Sequence, residues 1–348
     1  MVVVSIVIVN WNGRKYLAAC LKSLFNQTYK DFNVILVDNN STDDSVNFVK
    51  GNFPQVKVIE CRKNYGFAEG NNIGIREAMQ NAETKYIMTI NNDTIIDNKY
   101  LETLVSFMES SPKAGSSVGK ILMIDDKRRI DSAGDFILRK NYKIVNRGKF
   151  EIDKGQYNKI EEVISTCSAG AIYRRKMLSE IKIDNEYFDR DFFAYNEDVD
   201  IALRARLMGW EFFYLPTAVM YHHGAATISK ISLGYREYLS RRNRLYVVLK
   251  NLSINQLLKF LIKYIFPLNK RYFSPLDDSR SKLINSDNEI YSNKYDLSRS
   301  MVWAAHLKAI FSTIWFLPRI WRKRIIIQKR KRISNSKINV LINKFIIN

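Results

Sequence analysis

Carboxylates stand at three places in this sequence where side-chain chemistry is often positioned. Asp38 follows the apolar run in FNVILVDNN, Asp93 ends KYIMTINND, and Glu197 and Asp198 open the helix-like stretch AYNEDVDIALRARLMGW. A carboxylate at a strand end can accept a hydrogen bond from a nucleobase or a ribose, and it can hold a hard cation. A carboxylate on a rigid element facing a cleft can take a proton from a hydroxyl. The structural alternatives are strand-end turns for the first two and a helix-dipole effect for the last.

Histidines and glycines extend this set of candidates. The motif YHHG supplies His222 and His223, two of only three histidines in the chain. A neutral imidazole at a strand end could complete a Mn²⁺ site with Asp93, although a single histidine is more often packed or solvated. The motif NYGFAEGNN places Gly66 and Gly70 among asparagines, which would let backbone approach a phosphate or ribose. It is not the dinucleotide fingerprint, because G-x-G-x-x-G is absent.

Alternating strand-like and helix-like segments position these residues. Four apolar, largely β-branched runs predict strands, and three segments with helical spacing lie between them: KYLAACLKSLFNQT, STDDSVNFVKGNF and FAEGNNIGIREAMQNA. This order predicts an α/β fold with a doubly wound, mostly parallel sheet and flanking helices. Ligands of such sheets bind beyond the carboxyl ends of the strands, where Asn10, Asp38, Asn64 and Asp93 fall.

The segment that opens with Glu197 is predicted to be an amphipathic helix. Asp200 and Arg204 are four residues apart and can form an ion pair on its surface. Three apolar side chains share the face expected to pack on the core: Val199, Leu203 and Leu207. Glu197 and Asp198 would then lie at the N-terminal end, pointing out of the core. Because two adjacent carboxylates repel each other, one of them is expected to hold its proton more tightly.

Composition limits the class of protein. The chain has 348 residues, a net charge of +20 and a pI near 9.7, which indicates an anionic partner such as nucleic acid, an acidic membrane or a phosphorylated substrate. Cys20, Cys61 and Cys167 are isolated, which is typical of a reducing compartment and gives no metal-ligand spacing. The apolar N-terminus is predicted to be a buried strand. No uncharged apolar run of about 18 residues occurs, so no transmembrane helix is predicted.

The last part of the chain differs in composition. After about Arg241 the sequence is rich in aromatic residues, lysine and arginine, with a polar stretch over residues 274–300 and no acidic residue beyond Asp296. Trp303, Trp315 and Trp321 lie among basic residues, as in helices that bind an anionic bilayer surface. An amphipathic helix packed on the rest of the protein is the alternative. We expect a catalytic domain over residues 1–244 and a helical, basic, membrane-associating region over residues 245–348.

Taken together, the motifs resemble those of family 2 glycosyltransferases. VSIVIVNWNG, VDNNSTDDS, NYGFAEGNNIGI, INNDT, CSAGAIYRRKML, FFAYNEDVDIALRARLMGW, YHHGAAT and SRRNRL occur in the order found in that family, over roughly residues 2 to 245. The bacterial rhamnosyltransferase-like branch, which builds surface polysaccharides, is the most similar. The resemblance implies a GT-A fold, which is Rossmann-like and mostly parallel, followed here by the basic helical extension.

The resemblance also implies roles for individual residues. Asp198 would be the catalytic base with Glu197 beside it, and Asp93 and His222 would hold Mg²⁺ or Mn²⁺. The nucleotide sugar would be bound by Asn10, Trp11, Asp38, Asn64, Gly66, Gly70, Asn71, Asn72, Asn92, Arg242 and Asn243. Within this set, Asp38 would bind the base and the Gly70–Asn72 loop the ribose or diphosphate. The metal motif reads Asn-Asn-Asp here, so its first carboxylate is missing and the metal has fewer protein ligands.

The implied reaction is inverting transfer of a sugar from a nucleoside diphosphate to a hydroxyl of a glycan or lipid-linked glycan. dTDP-rhamnose is the first choice of donor, followed by UDP-galactose and UDP-N-acetylglucosamine, and the expected location is the inner face of the bacterial cell membrane. Three alternatives remain open at this point: a catalytically inactive relative, a basic protein that binds nucleic acid or membrane, and a nucleotidyltransferase. Nucleic acid is not expected as a partner, because no RNP, KH or zinc-finger pattern occurs.

Overall fold

The computed structural model describes residues 3–138, 144–224, 232–265 and 298–347, and the chain divides into two units. The first unit contains Met1–Thr227 and Arg330–Asn348, and the second contains Ile228–Lys329. These units divide the chain earlier than residue 244, and the chain returns to the first unit at Arg330. A catalytic domain over residues 1–244 and a membrane-associating region over residues 245–348 stay predictions.

A ten-stranded sheet forms the centre of the first unit, in the order β10-β12-β6-β11-β4-β1-β2-β3, with β5 paired to β12 and β7 to β6. Its strands are β1 (Val4–Asn10), β2 (Phe32–Asp38), β3 (Lys57–Glu60), β4 (Tyr86–Asn91), β5 (Thr94–Ile96), β6 (Ala114–Met123), β7 (Ile130–Ser132), β10 (Glu161–Glu162), β11 (Ile172–Arg174) and β12 (Glu211–His222). The helices of this unit are α1 (Arg14–Phe25), α2 (Ser45–Asn52), α3 (Gly66–Ala78), α4 (Tyr100–Ser110), α5 (Arg175–Ile181), α6 (Glu197–Leu207) and α11 (Asn335–Lys344), with a 3₁₀ turn at Arg190–Phe192.

The doubly wound parallel sheet expected from the first half of the sequence is confirmed. Strands β3, β2, β1 and β4 are parallel neighbours, and helices α1, α2 and α3 connect them. The apolar runs of β1, β2 and β4 are largely buried, whereas Val58 and Ile59 of the edge strand β3 are half-buried. The register pairs Asn10 with Asp38, so the ends of β1 and β2 meet at one edge.

The second half of the sheet mixes strand directions, which the sequence patterns did not predict. The long strand β12 runs parallel to β6 and antiparallel to β5. The β5 pairing places His222 opposite Thr94, the residue that follows Asp93 in the chain. Two motifs far apart in sequence, INNDT and YHHG, are thereby brought together by one backbone pairing.

A small second sheet uses the end of the chain. It has the order β13-β8-β9, with β8 at Asp135–Leu138, β9 at Ile144–Asn146 and β13 at Ile346–Ile347. The ring of Phe345 is buried, lies 6.2 Å from the Phe136 ring in an edge-to-face arrangement, and has the Arg206 guanidinium 4.6 Å from its centroid. Residues 345–347 thus form part of the folded first unit.

The second unit is helical in its described residues, as expected. Its helices are α7 (Leu233–Asn251), α8 (Ile254–Ile265), α9 (Arg299–Trp315) and most of α10 (Leu317–Arg330). Most of the polar stretch over residues 274–300 lies outside the described residues. Among the described helices, none alone has the length and apolar composition to cross a membrane. One consecutive pair, Ser300–Trp315 and Leu317–Arg330, meets that test together but is bent by 68°.

The packing of Phe345 gives a test of the role of the C-terminal segment. Phe345→Ala is expected to destabilise the first unit by about 3–5 kcal/mol, because it leaves a cavity beside Phe136 and Arg206. Val340→Ala is the matched control, since Val340 lies on the neighbouring helix and is 71% exposed. Urea unfolding followed by circular dichroism would measure both. Equal stability of the two variants would show that the C-terminal strand is dispensable.

Candidate active site

A hydrogen-bonded polar network joins the carboxyl ends of three parallel strands. The amide of Asn10 donates to Asp38 Oδ1 at 3.0 Å, and the amide of Asn92 donates to Asn10 Oδ1 at 2.7 Å. All three side chains are buried, as expected for groups that support one another at a sheet edge. Asn10, Asp38 and Asn92 are therefore in mutual contact, and their contact with a nucleotide stays a prediction.

The turn after β2 orients the Asp38 carboxylate. Ser41 donates its hydroxyl to Oδ1 at 2.6 Å and its backbone N–H to Oδ2 at 2.8 Å. With the bond from Asn10, the carboxylate accepts three hydrogen bonds. An ionised carboxylate can accept about four, so Asp38 retains capacity for one donor such as a base N–H.

His222 lies between two buried carboxylates. Its Nε2 is 3.3 Å from Asp93 Oδ1, and its Nδ1 is 2.9 Å from Asp131 Oδ2. Lys149 binds the other oxygen of Asp131, with Nζ 3.0 Å from Oδ1. Asp131 is a residue that the sequence analysis missed, since an isolated acid in an irregular segment carries no spacing signal.

The charges in this cluster support one another. Burial disfavours the charged form of His222, but the charge of Asp93 and the hydrogen bond to Asp131 outweigh it and raise the pKa of His222 to about 10. Burial likewise opposes ionisation of the acids. The His222 charge nevertheless holds the pKa of Asp93 below its ordinary value, and Lys149 and His222 hold the pKa of Asp131 well below its own.

The pair Asp93 and His222 fits a divalent cation of the Mg²⁺ or Mn²⁺ class. One carboxylate and one imidazole nitrogen that has lost its proton are suitable donors for Mn²⁺, and diphosphate oxygens or water commonly complete such a shell. Because the neighbouring carboxylates raise the pKa of His222, a cation would have to displace the proton on Nε2. Asp131 accepts from Nδ1, which leaves Nε2 as the nitrogen that faces Asp93, as in carboxylate–histidine–metal arrangements. Within the described residues no group of three or more His, Cys, Asp or Glu side chains could hold a metal.

Helix α6 begins with the two acids singled out in the sequence. Burial and the neighbouring charge of Asp198 raise the pKa of Glu197 to about 8, and burial raises the pKa of Asp198 to about 6 against backbone hydrogen bonds from Val199 and Ser168. Near pH 7 Asp198 is therefore largely ionised and Glu197 largely protonated. Asp198 is partly exposed, but Glu197 is only 7% exposed, which corrects the expectation that both point outward.

The rest of helix α6 anchors these acids. The Arg204 guanidinium donates to Asp200 at 2.9 Å in a fully buried ion pair, and it also donates to the backbone carbonyl of Ile181. Val199, Leu203 and Leu207 are buried as predicted. The helix cannot rotate without breaking these contacts, so the position of Asp198 is set by the core.

The segment before helix α6 has a strained backbone. Phe193, Tyr195 and Asn196 have positive φ angles of 62°, 74° and 62°, which residues other than glycine rarely adopt. The carbonyl of Phe193 accepts the N–H of Ala68, and a Cβ on Gly66 would lie 2.5 Å from the Phe193 ring. Gly66, itself at φ +82°, is therefore required for this loop to dock on the start of helix α3.

Helix α3 contains residues that the sequence analysis assigned to a ligand-binding loop. Gly70, Asn71 and Asn72 are buried within the helix, and a Cβ on Gly70 would lie 2.8 Å from Val9. Asn72 uses its amide to bind the carbonyl of Phe188 and accepts two backbone N–H groups from Tyr187 and Phe188. Contact of this segment with ribose or diphosphate stays a prediction. In the structure the side chain of Asn72 holds the chain that leads to helix α6.

Electrostatics connect the His222 cluster with the acids of helix α6. Cys167 is half-buried, and desolvation together with the charges of Asp198, Asp135 and Asp131 raises the pKa of its thiol, so all three carboxyls act on one side chain. Burial and Asp198 also raise the pKa of Asp135 well above its ordinary value, despite a hydrogen bond from Ser165. Asp135, like Asp131, was not identified from the sequence.

Four other predicted site residues make contacts of their own. Trp11 is partly exposed after β1, and Asn64 accepts the backbone N–H of Gly66 at 2.8 Å. Arg242 and Asn243 lie on helix α7 of the second unit, where the guanidinium donates to Asn243 Oδ1 at 2.9 Å. Contact of these four residues with a donor stays a prediction.

Comparison with known proteins assigns the chain to a family. The profile of Glycosyl transferase family 2 matches residues 5–182. The chain belongs to this family. It is 33% identical over 104 residues to glycosyltransferase GlyG of Streptococcus pneumoniae, covering 29% of this chain and 33% of GlyG. It is 28% identical over 170 residues to rhamnosyltransferase WbbL of Escherichia coli, covering 46% of this chain and 62% of WbbL. The matched regions thus span less than two thirds of either relative.

Solved glycosyltransferases share the fold at low identity. Residues 1–349 of S. aureus TarS superpose with a TM-score of 0.54 and 17% identity, covering 94% of this chain and 86% of TarS. GalNAc-T7 bound to UDP, GalNAc and Mn²⁺ superposes with a TM-score of 0.52 and 13% identity, covering 75% of this chain and 54% of that one. These similarities show the GT-A fold predicted from the sequence.

Glu197 has a higher pKa than Asp198, which predicts that Asp198 is the better candidate for a general base. For the wild-type protein, kcat/KM should fall as pH decreases through about 6, because Asp198 becomes protonated there. Asp198→Asn should lower kcat/KM by about 10²–10⁴-fold, the usual contribution of a general base. Glu197→Gln resembles the protonated acid already present near pH 7 and should leave the low-pH limb in place. The opposite pattern in the two pH profiles would assign the base to Glu197.

Proposed function

We propose that this family 2 member is an inverting glycosyltransferase that moves a sugar from a nucleoside diphosphate to a hydroxyl of a glycan. One observation carries the proposal. Asp198 is partly exposed, its charge and that of Asp131 both act on the thiol of Cys167, and Asp131 contacts His222, the residue that faces Asp93. A candidate base and a candidate diphosphate-binding pair in one unit are the two groups that direct transfer requires.

The donor would be held at the ends of the parallel strands. Asp38, fixed by Asn10 and Ser41, has the spare acceptor capacity to bind a base or ribose group. Asp93 and His222 would hold Mg²⁺ or Mn²⁺ against the diphosphate. When bound, the cation supplies positive charge that stabilises the leaving group.

Asp198 would remove the proton from the acceptor hydroxyl. The acceptor oxygen then forms a bond to the anomeric carbon while the bond from that carbon to the diphosphate oxygen breaks. The diphosphate leaves with the electron pair, and the configuration at the anomeric carbon inverts. Protonated Glu197 adds no negative charge beside the base near neutral pH, so Asp198 can remain ionised.

The sugar and the acceptor are assigned more narrowly by analogy. WbbL is named a rhamnosyltransferase, and one TarS structure contains UDP-GlcNAc, with a TM-score of 0.53 and 18% identity to this chain. We propose dTDP-rhamnose as the donor, with UDP-N-acetylglucosamine and UDP-galactose as the next candidates. The acceptor would be a glycan or lipid-linked glycan of a surface polysaccharide.

A thermal-shift panel tests donor binding. The wild-type protein is incubated with dTDP-rhamnose, UDP-N-acetylglucosamine and UDP-galactose, each with and without Mn²⁺. A bound donor at one hundred times its Kd should stabilise the protein by about 2.7 kcal/mol and raise Tm. Asp38→Ala should abolish the shift, whereas Asp31→Asn should keep it because Asp31 is exposed and precedes the opposite end of strand β2.

The outcomes of this panel separate the alternatives. No shift with any nucleotide sugar, together with salt-sensitive DNA binding, would favour the nucleic-acid-binding alternative. Donor binding without transfer to any glycan acceptor would favour a catalytically inactive relative.

The contact between Asp131 and His222 predicts a metal-affinity effect. Asp131→Ala should weaken Mn²⁺ binding in the presence of nucleoside diphosphate by about 10–100-fold, because Nδ1 of His222 loses the group that orients the ring. His223→Ala is the matched control, since His223 is adjacent but its side chain makes no contact with Asp131 in the described structure. Electron paramagnetic resonance of free Mn²⁺ would measure both. An unchanged Mn²⁺ affinity in the Asp131→Ala variant would contradict the proposal that Asp131 orients His222 as a metal ligand.

A further inference from the structure

Helix α9 is apolar on two opposite faces. Val302, Ala305 and Ala309 are buried on one face, and α9 packs against α7 within the second unit. The other face carries a stripe of large apolar side chains at helical spacing: Trp303, Leu307, Phe311, Ile314 and Trp315. Phe311 is 69% exposed and Trp315 is 82% exposed. A monomer in water rarely leaves such a contiguous aromatic face uncovered.

Two further helices of the second unit also carry exposed apolar side chains. On α10, Trp321 and Ile325 are exposed, and on α8 the residues Ile254, Leu258 and Ile262 form an exposed stripe with a spacing of four. We call the exposed apolar side chains of α8, α9 and α10 the apolar surface of the second unit.

The charge around this surface identifies its partner. The described residues of the second unit, 232–265 and 298–329, include fourteen lysines and arginines and one acidic residue, Glu237, which is buried. Arg319 and Arg322 are exposed on α10 next to Trp321. Tryptophan and other apolar residues beside arginines are typical of helices that lie in the interface of an anionic bilayer.

Not every cation in this unit is available to lipid. Arg324 is buried and donates to the carbonyls of Leu249 and Leu252 at 2.6 and 2.8 Å, which satisfies the C-terminal end of helix α7. Lys323 is also buried. Among the exposed cations of this unit, Arg319 and Arg322 are the two beside Trp321, and we expect them to contact headgroups.

We propose that the apolar surface of the second unit docks on an anionic lipid bilayer, with α9 lying in the interface and the arginines of α10 at the headgroups. A second copy of the chain is a poorer occupant, because a twofold interface would place this basic surface against itself. The proposal goes beyond the sugar-transfer function and does not depend on it. It would place the protein at the inner face of the cell membrane, where lipid-linked acceptors are accessible.

Sedimentation of the full-length protein with lipid vesicles tests the proposal. The protein should sediment with vesicles of phosphatidylcholine and phosphatidylglycerol, and less with phosphatidylcholine alone. A variant with Phe311→Gln, Ile314→Gln and Trp315→Gln should lose at least about tenfold in vesicle affinity. A variant with Arg319→Gln and Arg322→Gln should lose about tenfold or more, and only on anionic vesicles.

Matched controls separate this effect from general surface changes. Ile152→Gln with Ile160→Gln replaces two exposed apolar residues of the first unit and should leave vesicle binding unchanged. Unchanged Tm and donor binding in every variant would show that the loss is local to the surface. Since donor binding is read separately, failure of the membrane proposal and failure of the proposed function are distinguishable.

Three results would overturn the proposal. The first is wild-type vesicle binding by the Phe311, Ile314 and Trp315 variant. The second is a dimer that those three substitutions dissociate, with no vesicle binding by the wild type. The third is membrane-bound protein in cells that neither high salt nor alkaline carbonate releases, which would indicate that the bent pair α9–α10 spans the bilayer.

Discussion

The contact of His222 with two carboxylates joins the parallel part and the mixed part of the sheet in the first unit. Asp93 follows the parallel strand β4, Asp131 lies on β7, and His222 ends β12 in the mixed part of the sheet. These groups are buried, so each charge needs the others, since an isolated buried charge is strongly destabilising. The strand pairing of β5 with β12 and the ionic contacts therefore require one another. This arrangement fixes two candidate metal-ligating atoms at the edge of the sheet.

The acids of helix α6, Glu197 and Asp198, are also affected by burial, but their pKa values are raised. In the part of the chain that the structure describes, Glu197 and Asp198 form no ion pair, so burial raises both pKa values, whereas the cations beside Asp93 and Asp131 lower theirs. The first unit thus contains two carboxylates with lowered pKa values, Asp93 and Asp131, and two carboxyls with raised pKa values, Glu197 and Asp198. Such a division suits a reaction that must both bind a diphosphate and remove a proton. The strained segment Phe193–Asn196 and the amide of Asn72 hold the second group in place.

The C-terminal part of the chain contributes elements to both units. Helices α9 and α10 carry the exposed aromatic and basic residues of the second unit, whereas Phe345 and strand β13 complete a small sheet in the first. Strand β8 of that sheet begins at Asp135, whose carboxyl lies in the electrostatic environment of Asp198. The end of the chain is therefore a structural component of the unit that carries the candidate base.

The sequence by itself determined the parallel half of the sheet and helix α6, because these elements depend on local patterns. Buried β-branched runs and helical spacing are visible within windows of ten to twenty residues, and the order of motifs was sufficient to indicate the family. Asp38, Asp93, Asp198 and His222 were identifiable because each ends or begins such an element.

Only the tertiary structure decided the partners of these residues. Asp131 and Asp135 make their contacts with segments that are 91 and 30 residues away in the chain, and no local pattern marks them. For the same reason the sequence could not show that the amide of Asn72 holds a distant backbone segment, and it placed Glu197 outside the core that buries it. Burial and charge pairing are properties of the packed chain, so residue type and spacing indicate which groups can react, and packing decides their protonation and their neighbours.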